Sequence, residues 1–225
     1  HRDLHSFPTR RSSDLLKESP KDDYCIKMVK EPRTETYPKN VLENEHIRAD
    51  FDDNNMMLLS LTDKKTGRQL ITGASAFFKF VEHSHRSHTV MFGNAWAEGY
   101  ELRSENLNKE QQVFVTEQNY RDPLRHFIKY HIPFRNSKIS VIVSLDKGSS
   151  VLEYKIECDW HERFSEQSGI PALKFAVPVN YPVSGYKYEV PFGVMTRSGM
   201  NHDVSARGFA YALPADKGVE GIAVL

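Results

Sequence analysis

Apolar and polar residues alternate along most of this 225-residue chain, the period-two pattern of strands with one buried face. The pattern opens in residues 41–70. Ile47, Ala49 and Phe51 alternate with Arg48, Asp50 and Asp52, and Asp53, Asn54 and Asn55 supply turn chemistry. Met57, Leu59 and Leu61 then resume the inward set, and the DKKTGR turn of residues 63–68 places Gly67 where a positive φ is expected. Residues 76–83 read as a further strand with Phe78 and Phe80 on one face, and residues 111–118 as another around Val113 and Val115. The signal is clearest in Ile128, Tyr130, Ile132 and Phe134, followed by Ile139, Val141, Val143 and Leu145. A turn at 146–150 leads into Leu152, Tyr154, Ile156 and Cys158, and Leu173, Phe175, Val177 and Val179 repeat the pattern. Pro133 and Pro178 are predicted at edges, bulges or strand ends, because neither donates to a ladder. Residues 93–99, which include Trp96, read as a loop, and 102–112 as a polar stretch able to hold a short helix. Hairpins at this spacing with so little helix predict an all-β fold, a large antiparallel β-sandwich beginning near Asn40.

The segments outside that pattern change the picture at both ends. Residues 1–15, HRDLHSFPTRRSSDL, match the translation of a common short-read sequencing adapter residue for residue and are expected to be non-native. The rival reading, a basic targeting arm, lacks an apolar run or a small-residue cleavage site. Residues 16–39 are polar and punctuated by Pro20, Pro32 and Pro38, with one strand candidate at 24–29; they read as a linker or the remnant of a preceding domain. Residues 221–225 stop inside a strand-like run, so the sandwich is expected to be truncated at the C-terminus.

Composition excludes some classes of partner. The formal net charge is zero over the whole chain, and −1 without the three basic and two acidic residues of the first fifteen. No strongly basic face suggests nucleic acid, and no apolar run of about 18 residues suggests a membrane span. Cys25 and Cys158 form no spaced motif. Two reduced thiols are expected, which favours a cytoplasmic protein.

Three groups of residues invite a chemical reading. His83, His85 and His88 could gather around a metal, but no carboxylate or Cys stands at a recognisable ligand spacing, so solvated histidines at a strand end are expected and no metal site is assigned. His161 and Glu162 are adjacent on a strand and point to opposite faces, which suits them poorly to acid–base work on one atom. Trp160 beside them is expected to pack the core. Arg197 with Asn201, His202 and Asp203 forms a polar, loop-borne cluster after a strand, where sandwich folds meet ligands, although Asn and Asp favour ordinary capped turns. These four, with Trp96 as a stacking surface for a sugar, are the candidate substrate contacts.

Several stretches in order resemble one known domain. They are the LENE-to-DKKTGR opening, Asn94-Ala95-Trp96, the run from Arg135 to Ser140, Leu145 to Ser149, and Glu157 through Trp160-His161-Glu162-Arg163. The strand Lys174 to Val179 and the motif Tyr188-Glu189-Val190-Pro191-Phe192-Gly193-Val194, closed by Arg197, complete them. Together they resemble the C-terminal β-domain of glycoside hydrolase family 38, the α-mannosidases. Residues 200–213 depart from the aromatic-rich segment of many animal members, so the chain is similar to a bacterial-type branch.

The resemblance implies a galactose-mutarotase-like supersandwich over residues 40–225, preceded in the parent enzyme by a β/α barrel and a helical bundle. It implies retaining hydrolysis of α-mannosides by two carboxylates, with a covalent glycosyl-enzyme intermediate. A zinc ion held by His and Asp would position the sugar. Those carboxylates and zinc ligands lie in the barrel and bundle, so no catalytic residue is assigned here and the fragment alone is expected to be inactive. The expected partners are an α-mannoside or mannose-containing glycan and the parent's own barrel and bundle. A free-standing carbohydrate-binding or aldose-mutarotase-like sandwich is the alternative.

Overall fold

A computed structural model describes residues 39–84, 100–200, 203–216 and 218–225. The strand candidate at 24–29, the loop at 93–99 with Trp96, and Cys25, His85, His88, Asn201 and His202 lie outside the described residues.

Strand pairing is antiparallel throughout the named elements, as the alternation predicts. The first sheet is a meander of β1 (Val41–Glu43), β2 (Ile47–Phe51), β3 (Leu58–Asp63) and β4 (Arg68–Ser75). A second meander holds β7 (Phe114–Asn119), β8 (Arg125–Phe134), β9 (Ser137–Asp146) and β10 (Leu152–Asp159). In the third sheet β5 (Phe77–His83) lies between β6 (Glu101–Asn106) and β11 (Ile170–Ala176). In the fourth, β12 (Val183–Val190) lies between β13 (Gly193–Arg197) and β14 (Ala210–Pro214), and β14 also pairs with β15 (Ala223–Val224). The one helical piece among the described residues is α1 (Leu107–Glu110), capped by Asn106.

The inner faces of the first three sheets meet in one cluster. Ile47, Ala49 and Phe51 join Phe78 and Phe80, the even set from Ile128 to Phe134 and the odd set from Ile139 to Leu145, all buried. Each large apolar side chain of this kind contributes about 1.5–3 kcal/mol relative to exposure. Asn44 ties the two meanders together, donating from Nδ2 to the carbonyls of Asp146 (2.8 Å) and Ser149 (2.7 Å). Asn108 is buried on α1. Its side chain accepts from the Phe78 amide and donates to the Asn55 carbonyl, both at 2.8 Å, fastening the β2–β3 turn to the start of β5. Gly67 adopts φ +70° in the β3–β4 turn, as its sequence position requires.

Four expectations need correction or refinement. Alternation places Leu59 inside, but it is 37 % exposed while Leu58 is 2 % exposed. A bulge is the cause: Asp50 pairs with Ser60 and Phe51 with Leu58, so Leu59 is the extra residue and alternation slips by one. Ile156 and Cys158 are also exposed: among the described residues β10 pairs with β9 alone, and of its inward set Leu152 and Tyr154 pack against the core. Residues 101–106 form a strand rather than part of a polar stretch. β6 is held by its ladder to β5, and its first four side chains are exposed, so it carries no period-two signal. The short helix is a single turn. Pro133 lies past the end of the β7 ladder and Pro178 lies just beyond β11, both at strand ends.

Candidate functional site

The fourth sheet is where the sequence candidates and the exposed chemistry coincide. Val190 pairs with Gly193, leaving Pro191 and Phe192 as a two-residue connection between β12 and β13. Proline presets φ for the first turn position, and the second requires a positive φ. Phe192 occupies it at φ +72°. A bulky side chain there is strained, and glycine is the usual occupant. The Phe192 ring is fully exposed at the hairpin tip, with Val194 and Met195 exposed behind it. A bare reading for local propensity passes over Phe192, because its conformation is set by hairpin closure.

One face of this hairpin carries the polar candidate. Tyr186 pairs with Arg197 and Tyr188 with Met195, so all four share a face. The tyrosine rings stack with centroids 6.2 Å apart. Arg197 is half-buried, and its Nε lies 3.0 Å from the Met195 sulfur. No carboxylate among the described residues pairs with its guanidinium. Asp203 is exposed and bound elsewhere: its Oδ2 accepts from Lys174 Nζ on β11 at 2.6 Å. No hydrogen bond or ion pair joins Arg197 to Asp203, so within this cluster the described contacts leave Arg197 with the tyrosine pair and Asp203 with Lys174.

Two other polar groupings have structural explanations. His161 Nε2 lies 3.0 Å from Asp159, while its backbone N–H donates to Ser137 Oγ at 2.9 Å. Glu162 accepts from Ser137 Oγ at 2.8 Å and from the Asn136 amide at 3.3 Å. Trp160 packs against Phe80 and Phe134 at about 6 Å, the core role expected of it. The second grouping has no local sequence signal. Arg135 lies over the Phe80 ring, 3.9 Å from its centroid, and donates to the buried carboxylate of Glu82 at 3.0 Å, with Glu105 at 4.0 Å. Glu105 also accepts from Gln111 at 2.8 Å. Buried carboxylates gathered under one guanidinium hold the β8–β9 turn on the third sheet. Their sequence separation conceals this until the strands are paired.

A groove of about 510 Å³ runs along β7, lined by Lys39, Asp53, Val113, Val115, Thr116, Glu117 and Gln118. It is remote in sequence from the hairpin, and Asn40 already joins its sides through hydrogen bonds to Asp53 and Gln118. No group of three or more His, Cys, Asp or Glu side chains among the described residues is arranged to hold a metal ion. No helix among them is long and apolar enough to cross a membrane.

The chain, with its antiparallel sheets, matches a domain of sugar-cleaving enzymes. Residues 42–210 match the model of the glycosyl hydrolases family 38 C-terminal domain. The match spans more than half of the chain, and the chain belongs to that family. No individual curated protein matches it.

Proposed function

We propose that this chain is the C-terminal β-sandwich of a retaining, zinc-dependent α-mannosidase that works in mannose metabolism. In this reading residues 40–225 belong to the sandwich, residues 16–39 connect it to a barrel and helical bundle, and residues 1–15 are foreign. The family match across residues 42–210 carries the proposal. In this reading the metal and the two reacting carboxylates belong to the preceding domains. This domain braces them and presents the β12–β13 hairpin to the mannoside.

Arg197 supports that role. Among the described residues its guanidinium has donors without a carboxylate partner, beside two stacked tyrosines. Sugars offer hydroxyls to such donors and C–H faces to aromatic rings. Asn201, His202 and Asp203 follow Arg197 in the chain and extend the candidate set, as does Trp96.

The test uses the full-length enzyme and its coding sequence. Continuous upstream coding for a β/α barrel with His and Asp zinc ligands is expected, and a start codon just before Lys17 would replace the mannosidase reading with a free-standing sandwich. Arg197→Ala is expected to lower kcat/KM on an aryl α-mannoside about tenfold or more, since hydrogen bonds from a charged group contribute about 1.5–3 kcal/mol. Unchanged kinetics would retire the hairpin's role while leaving the family assignment intact.

A further inference from the structure

Two hydroxyls inside the sandwich have no hydrogen-bond partner among the described residues. Tyr130 on β8 pairs with Val141, and Tyr154 on β10 pairs with Val143. Val141 and Val143 lie two residues apart on β9 and are both fully buried, so both tyrosines point to the same inner face from opposite sides of β9. Tyr130 is 1 % exposed. Tyr154 stands on the edge strand and is half-buried as a residue, but its hydroxyl oxygen is sealed from solvent. Its ring packs on Phe175, with centroids 5.2 Å apart, and Phe175 packs on Phe78 at 5.0 Å. Neither hydroxyl oxygen has a hydrogen-bond partner among the described residues, and the two do not bond each other.

Backbone groups cannot supply the missing partners. β8 and β9 flank one another along their whole lengths, and β9 pairs with β10 opposite both tyrosines, so the amides and carbonyls there are engaged in ladders. Nine-tenths or more of buried polar groups in folded proteins are bonded, often through internal water. A phenol hydroxyl donates once and accepts, so two of them can hold one water between them.

We propose that Tyr130 and Tyr154 form a buried hydration site, in which an ordered water bridges their hydroxyls and fastens the edge strand β10 to β8 across the face of β9. The site's ligand is water: Val141 and Val143, which pair with the two tyrosines, and Phe175, which packs on Tyr154, offer no side-chain hydrogen bond. Fastening of this kind has a structural purpose, because among the described residues β10 is paired on one side only.

The experiment is a double-mutant cycle on the full chain, reading the urea midpoint for wild type, Tyr130→Phe, Tyr154→Phe and the double variant. Each phenylalanine keeps the ring and removes one hydroxyl. With a bridging water, either single variant lowers the midpoint, and the second substitution adds little once the water is lost. Midpoints that rise in the single variants would show hydroxyls buried unsatisfied and would overturn the proposal. Strictly additive losses would overturn it as well, since they mean separate partners. Water-selective NOE spectroscopy on the unsubstituted chain needs no variant to fold. A cross-peak from the tyrosine rings to a long-lived water is expected, and its absence would overturn the site.

Discussion

Two arginines make ion pairs of nearly the same form in this domain, and their surroundings predict opposite consequences for their removal. Arg135 reaches the Glu82 carboxylate at 3.0 Å with its side chain 33 % exposed, while the Glu82 and Glu105 side chains are only 8 % and 10 % exposed. Arg125 reaches Asp146 and Glu153 at the surface, where all three side chains are 46 % or more exposed. Substituting Arg135→Met keeps an unbranched stem over the Phe80 ring and removes the charge. The buried Glu82 carboxylate then loses its guanidinium, while Glu105 keeps Arg103 at 3.7 Å, and breaking a buried pair in this way destabilises by about 3–5 kcal/mol. The same substitution at Arg125 leaves carboxylates that water solvates, so it is expected to leave stability almost unchanged. The assay is equilibrium urea denaturation of both variants, with intrinsic fluorescence reporting on Trp160, which packs against Phe80. Adding Glu82→Gln to Arg135→Met should restore part of the loss, because the amide is buried without charge. Equal midpoints for the two arginine variants would refute the reasoning, as would a Glu82→Gln addition that deepens the loss.

Two further outcomes follow from local geometry and titration. Phe192→Gly removes a side chain that is fully exposed at φ +72°, so relief of a strain of about 1–2 kcal/mol outweighs the added unfolded-state entropy. A small rise in the thermal midpoint is expected, and a fall would mean that the ring is held by contacts the hairpin does not show. Burial raises the Tyr130 and Tyr154 hydroxyls above the ordinary phenol value of 10.0. A folded value above the unfolded one leaves stability whole below about pH 10, and stability declines as pH rises from there toward the folded values. Thermal midpoints measured from pH 8 to 11.5 should fall above pH 10, and the fall should be shallower in Tyr130→Phe.

Alternation alone determined the all-β fold and most of the core. The inward sets of β8 and β9 are those that a period of two selects, since a strand buried on one face must repeat that way. Turn chemistry likewise located Gly67, and the ordered motifs from the LENE opening to Arg197 carried the family. Pairing decided the rest. The bulge opposite Asp50 turned Leu59 out and Leu58 in, β6 became a strand through its ladder to β5, and the outer half of β10 was left in solvent by its place at an edge. Tertiary structure also created groupings invisible along the chain: Glu82 and Glu105 beside Arg135, and two tyrosines on one inner face from either side of β9. The physical reason is range. Alternation and turns are set by neighbours a few residues away, whereas bulges, edges and buried charges depend on which distant strand lies alongside.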